Sequence, residues 1–185
     1  VHGVEMAVSS LTGPDGKEIP DSRITLFREV YVPIRHPAPH ATCAPGLVAD
    51  PLVPFVNPYT GDRIREPRWK DNAQEGPRFG AGGFDVWEDQ HQPIWVDVFV
   101  PVDAAAGEYT GKVTVKAANA KTVELPVKLT VWDFALPAGP TMESHFGGFN
   151  YLASYYKIKP DSENYQILED RYSEMLAAHR INPCL

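Results

Sequence analysis

Residues 127–149 read VKLTVWDFALPAGPTMESHFGGF, and the pattern of the chain changes inside them. Val127, Leu129 and Val131 alternate with Lys128 and Thr130, the period of a half-buried strand. After Pro137 the alternation ends. The turn-rich ALPAGP (135–140) leads into TMESHFGGFN (141–150), which reads as a short strand closing on Gly147-Gly148. The stretch is therefore a junction. A β domain over residues 1–136 ends here, and a second unit occupies 137–185.

Upstream, the same period recurs. Val123 and Leu125 extend the apolar face of the last strand, with Thr122 and Glu124 opposite, and Pro126 on the polar face suits an edge strand or bulge. Asn119 sits in a tight turn before it. Tyr109, Val113 and Val115 then define a partner strand facing inward, preceded by Gly107-x-Tyr109, the pattern in which a tyrosine hydroxyl closes a sandwich corner. PIWVDVFV (93–100) is apolar on both faces and is expected to be a central strand, with Trp95 in the core. Near the start, Val4, Met6 and Val8 alternate, LTGPDGKEIP (11–20) supplies turn residues, and ITLFREVYVPI (24–34) is a second strand. Residues 35–84 hold no sustained period and carry many of the chain's 18 prolines. They read as a long stiff loop region with a short strand or two, either functional or covering a neighbouring domain. The expectation is a mainly β fold, an antiparallel Ig-like β-sandwich.

Downstream, Pro160-Asp161-Ser162-Glu163 offers capping residues with an acid in the first turn. Tyr165, Leu168, Tyr172, Met175 with Leu176, and His179 recur at helical spacing, and Asn182-Pro183 is expected to stop the helix. Arg180, at the helix end, fits the C-terminal dipole. Strand, turn, helix and the onset of INPCL form one β/α unit, which has nothing to bury its two faces against by itself.

Composition excludes several classes. The 185 residues carry a formal net charge of -7 without Lys/Arg clusters, which disfavours nucleic acid and anionic membrane surfaces. No apolar run approaches the roughly 20 residues of a membrane span. Cys43 and Cys184 are too few for a disulfide framework and read as unrelated thiols. The chain opens at Val1 inside a strand-like pattern, so a longer polypeptide is expected.

The ordered phrases PGLVADPLVPF (45–55), IWVDVFVPVDAAAGEYTGKVTV (94–115), LPVKLTVWDFALP (125–137) and AAHRINP (177–183) resemble glycoside hydrolase family 123 and the related bacterial proteins carrying the domain of unknown function 4091. The resemblance implies an N-terminal β-sandwich against a (β/α)8 barrel, of which 137–185 is the first, truncated unit. It implies retaining hydrolysis of β-linked N-acetylgalactosamine assisted by the sugar's own acetamido group. In that chemistry an adjacent Asp-Glu pair orients the acetamide and serves as general acid/base. The pair belongs further along the barrel, so no catalytic residue is expected in this span and the chain alone is expected to be inactive. A glycan containing N-acetylhexosamine, the rest of the barrel, and an extracellular or periplasmic setting are likewise implied. A stand-alone carbohydrate-binding sandwich or an Ig-like adhesion module are the alternatives.

If 141–147 is the first barrel strand, His145, Phe149, Asn150 and Tyr151 lie at its C-terminal end, where barrel sites are built. His145 or Asn150 would bind a hydroxyl, and Phe149 or Tyr151 would face a sugar ring. The other reading makes them core and turn residues. Glu169-Asp170 is no catalytic pair, since neighbouring helix side chains diverge by about 100°, and Glu88-Asp89 reads as a solvated loop. His36, His40 and Cys43 are spaced like ligands, yet Pro37 and Pro39 forbid the helix that would align them, so no metal or cofactor is expected. Trp69 and Trp87 sit in polar loops and would meet sugar or seal the barrel interface.

Overall fold

A computed structural model describes residues 1–40, 42, 44–65, 80–144 and 151–182. The chain divides into two compact units, Val1–Phe134 and Ala135–Leu185.

The first unit is built from two antiparallel sheets. Strands β1 (Glu5–Val8), β2 (Leu11–Thr12), β3 (Glu18–Ile19), β7 (Gly107–Ala117) and β8 (Ala120–Val131) form one sheet. Strands β4 (Ile24–Ile34), β5 (Gly46–Pro54) and β6 (Ile94–Val98) form the other, in the order β5-β4-β6. In the larger sheet β7 carries β8 on one flank and both β1 and β2 on the other. The break between β1 and β2 is at Ser9, whose N–H donates to the Lys112 carbonyl while its hydroxyl accepts from the Lys112 N–H. The side chain thus stands in for a ladder carbonyl and lets the strand shift register without an orphaned donor.

The sheets share their core. Val4, Met6 and Val113 from the larger sheet side pack with Leu26 of β4 and with Phe55, Ala81 and Phe84. A second cluster joins Leu11, Ile19, Ile24 and Tyr109, flanked by Val98 of β6 and Val127, Leu129 and Val131 of β8. The alternation therefore points inward at Tyr109, Val113 and Val115 and at Val127, Leu129 and Val131, whereas the expected apolar face at Val123 and Leu125 runs past the core and leaves both about half exposed. Pro126 lies opposite Lys112 on β8, which pairs with β7 alone among the described residues, the edge position that tolerates a residue without N–H.

Tyr109 closes the corner before β7. Its ring is almost fully buried and its hydroxyl donates to the Ala105 carbonyl at 3.0 Å. Gly107, at φ +140, turns the chain into the strand where an added Cβ would sit 2.5 Å from Pro14 Cγ.

Three parts of the sandwich depart from the sequence reading. LTGPDGKEIP is a small hairpin, and its Leu11 and Ile19 are fully buried. The proline-rich span hides a nine-residue strand, β5, paired along β4 with a bulge between Glu29 and Tyr31. Among the described residues it runs on the sheet edge, where Pro51 breaks no ladder on its open side. Finally, β6 is an edge strand, with only β4 beside it among the described residues. Trp95 is 53 % exposed, on the outer face beside Phe27, so the expectation of a central strand with a core Trp95 is corrected. Apolar residues on both faces of a strand do not by themselves report a second neighbouring strand, since the outer face here is left exposed.

The rest of the proline-rich span folds back onto the sandwich. Phe55 and Phe84 meet at 6.4 Å, and the Arg28 guanidinium lies over the Phe84 ring at 4.4 Å. Arg28 also donates to Gln92 and to the Gly80 carbonyl. Glu5 joins Arg63 at 3.0 Å and Arg65 at 3.2 Å, tying this arm of the loop to β1.

In the second unit, α1 (Leu152–Tyr156) precedes α2 (Glu163–Ala178). Ser162 caps α2, its hydroxyl accepting from the Tyr165 N–H at 3.3 Å, with Glu163 in the first turn. Leu152 and Leu176 are buried, with Tyr165, Leu168, Tyr172 and Ile181 packed around them. The helix ends before Asn182-Pro183. Arg180 N–H bonds to the Ala177 carbonyl and Ile181 N–H to the Leu176 carbonyl, with Arg180 at φ +59. This is a Schellman ending with arginine where glycine is favoured, and Ile181 packs back on the cluster of Leu176. Arg180→Gly is accordingly expected to stabilise this unit by about 0.5–1 kcal/mol, read as a higher melting temperature. Residues 141–144 are irregular, and the remainder of the expected first barrel strand lies outside the described residues.

Candidate functional site

Of the four residues expected to line a sugar site, His145, Phe149 and Asn150 lie outside the described residues. Tyr151 is described: it is the N-cap of α1 and is exposed. Its carbonyl accepts from the Ser154 hydroxyl at 2.9 Å, so the backbone at the helix start is held while the ring is free to solvent.

One turn on, the Tyr155 N–H donates to the Tyr151 carbonyl at 2.9 Å. The Tyr155 and Tyr156 rings stand edge to face, 5.0 Å apart at 78°. The Tyr156 and Tyr172 hydroxyls are hydrogen-bonded at 2.9 Å, linking α1 to α2. Burial, and then the bond from Tyr156, push the Tyr172 hydroxyl well above the ordinary tyrosine value of 10.0. A raised folded-state pKa contributes stability that is complete below about pH 10 and is lost as pH climbs through the folded value. The second unit is thus expected to lose stability in alkali above about pH 10. Tyr172→Phe should flatten that dependence while lowering stability at neutral pH, as circular dichroism melts at the two pH values would show. Helical spacing places Tyr172 on the packed face of α2, and that spacing does not connect it to Tyr155 and Tyr156. The run YLASYYK carried the signal, with Tyr151 and Tyr155 one helical turn apart.

The other candidates fall in plain structural roles. Glu88 and Asp89 are exposed in a turn, with Asp89 at φ +59. Glu169 and Asp170 are neighbours on α2. His36 and His40 are exposed, Cys43 and Cys184 lie outside the described residues, and among those described no three His, Cys, Asp or Glu side chains stand together as metal ligands. Trp69 also lies outside them. Trp87 is exposed, its ring edge-on to His2 at 5.6 Å. His2 in turn reaches Asp85 at 3.1 Å; the Gly3 N–H, and then His2, hold that carboxyl below the usual aspartate value. These contacts fasten the first residues of the chain to the end of the loop. A shallow polar groove beside β2 and β7 presents Ser9, Ser10 and Lys112. Both hydroxyls are taken up by the backbone and the Lys112 ammonium by Glu124 at 2.7 Å.

Two antiparallel sheets packed on each other define a mainly β domain, with a small helical unit after it in the chain. The model of the glycoside hydrolase 123 N-terminal domain matches residues 1–117, and the chain belongs to that family. A solved structure also resembles it: a family 123 glycoside hydrolase from Clostridium perfringens, whose structural analysis concerned glycolipid glycan hydrolysis. That likeness has a TM-score of 0.62 at 18 % identity, over 96 % of this chain and 27 % of the other. The two share a fold, and the present chain spans about a quarter of that enzyme's length. No curated protein matches the chain.

Proposed function

We propose that this chain is the N-terminal part of a glycoside hydrolase that removes β-linked N-acetylgalactosamine from glycans. The sandwich serves as accessory domain, and residues 137–185 begin a (β/α)8 barrel. The reaction is retaining and substrate-assisted: the sugar's acetamido oxygen attacks the anomeric carbon, and an Asp-Glu pair beyond Leu185 supplies orientation and acid/base catalysis. His145 and Asn150 hold sugar hydroxyls, Phe149 and Tyr151 meet the ring, and the protein works outside the cytoplasm. The observation that carries this reading is the extent of the likeness to the family 123 enzyme. It continues past the matched domain into the helical unit, which neither a stand-alone carbohydrate-binding sandwich nor an Ig-like adhesion module would need.

The test is hydrolysis of a chromogenic N-acetyl-β-galactosaminide by the full-length protein. The expected result is release of the β-anomer first, with inhibition by a thiazoline mimic of the cyclised acetamide. An inverted product, or no release, rejects the chemistry.

A further inference from the structure

We propose that the end of the sandwich from which the chain leaves is the docking surface for the polypeptide that follows Leu185. The proposal rests on the reading above, that this chain is the first part of a longer enzyme, and it adds the face by which the sandwich holds the rest. The end is defined by the strands that meet there. Val98 closes β6 and Val131 closes β8, and both pack beside Ile24 and Tyr109 in one cluster. Gly107, the first residue of β7, lies opposite Val131. The loop 99–106 and the segment 132–134 therefore emerge at the same end. Their large apolar side chains are left to solvent: Phe99 is 59 % exposed, Val102 83 %, Trp132 69 % and Phe134 64 %, and Val100 is exposed as well.

The end is held in shape. The Phe99 N–H donates to the Arg23 carbonyl at 2.9 Å, and the Arg23 guanidinium lies 5.1 Å from the centre of the Phe99 ring. The Ala104 N–H donates to the Pro101 carbonyl, the Tyr109 hydroxyl holds the Ala105 carbonyl, and the Trp132 and Phe134 rings stand 5.9 Å apart. Side chains fixed in this way lose little further freedom when they are covered. Composition selects protein as the cover. Phe99, Val100, Val102, Trp132 and Phe134 carry a single polar atom among them, the Trp132 indole nitrogen, whereas a small-ligand site sets several convergent polar groups among its apolar ones. An apolar centre with the exposed Asp103 and Asp133 at its rim has the character of a protein interface. Connection and length select which protein. The chain leaves the sandwich at Phe134, so whatever follows is tethered to this end and meets it at high effective concentration. The family 123 enzyme that resembles 96 % of this chain has most of its own length outside the match, which spans 27 % of it. A second copy of the chain would have to reach the same surface from bulk solution.

Hydroxyl-radical footprinting tests this, with oxidation of Phe99, Trp132 and Phe134 read by mass spectrometry in residues 1–185 and in the full-length protein. Severalfold lower oxidation of all three rings is expected in the full-length protein, at every concentration. Val102→Asp provides a second arm, since a side chain this exposed contributes nothing to the packing of residues 1–185. The substitution should lower the melting temperature of the full-length protein by a few degrees and leave that of residues 1–185 unchanged. Equal oxidation in the two proteins overturns the proposal, and so does protection already complete in residues 1–185. Protection that fades on dilution assigns the end to a second copy and overturns it as well. Neither arm uses a substrate. A protected end in a protein without hydrolytic activity removes the glycosidase chemistry alone, and an unprotected end in an active enzyme removes this surface alone.

Discussion

Tyr109→Ala is expected to cost the first unit about 4 kcal/mol, enough to leave much of the population unfolded at growth temperature. The residue joins two kinds of stabilisation. Its ring fills the cluster of Leu11, Ile19 and Ile24, and the hydroxyl reaches back to the Ala105 carbonyl, pinning the turn before β7. Truncation removes the largest fully buried side chain of that cluster and leaves a cavity that rigid sheets collapse into poorly. Tyr109→Phe isolates the corner bond and should cost about 1–2 kcal/mol, because the carbonyl loses its partner while the ring remains. Urea unfolding of the three proteins measures both. Similar midpoints for Tyr109→Ala and the wild type would remove the corner from any account of stability.

The second large effect is expected at a residue with no side chain. Gly13→Ala should destabilise the sandwich by about 2–3 kcal/mol, since the added methyl would lie 2.3 Å from Tyr109 Cε1 and 2.5 Å from Cδ1. That distance is far inside contact, and the neighbour is a buried ring that has nowhere to move. Because the penalty comes from one pair, it should not add to the loss at Tyr109. In the double variant Gly13→Ala, Tyr109→Ala the methyl enters the space the ring has left, and the combined cost should fall well below the sum. Full additivity would show that the two residues do not touch in solution.

How much of this was legible in the letters depended on what each stretch had to satisfy. Val127, Leu129 and Val131 alternate because one face of β8 meets the core and the other meets water, whereas the same period at Val123 and Leu125 continues past the core into solvent. Gly107-x-Tyr109 was legible because one side chain and one backbone conformation make that corner together. The strand β5 was hidden: Pro51 and Pro54 are breakers by local rule, and only the free edge of the sheet makes them harmless. PIWVDVFV misled in the other direction, since a strand apolar on both faces can lie at an edge when its outer face is left uncovered, as Trp95 and Phe99 show. The end of α2 could not be read from Pro183, because backbone bonds at Arg180 and Ile181 close the helix earlier and use a residue without glycine's freedom.

At the candidate site, Tyr151 was singled out from its place at the end of the expected first barrel strand, whereas Tyr155 and Tyr156 were not. The link between Tyr156 and Tyr172 joins residues sixteen apart in sequence. It depends on how α1 lies against α2, which helical periodicity within either element does not encode. His145, Phe149 and Asn150 remain proposals tied to the barrel reading.

The account stands most directly on one measurement, the turnover of a chromogenic N-acetyl-β-galactosaminide by residues 1–185 and by the full-length protein, assayed side by side. It predicts hydrolysis by the full-length protein and none by the shorter chain, whose acid/base pair lies elsewhere. Turnover by residues 1–185 alone, or none by the full-length protein, would contradict it.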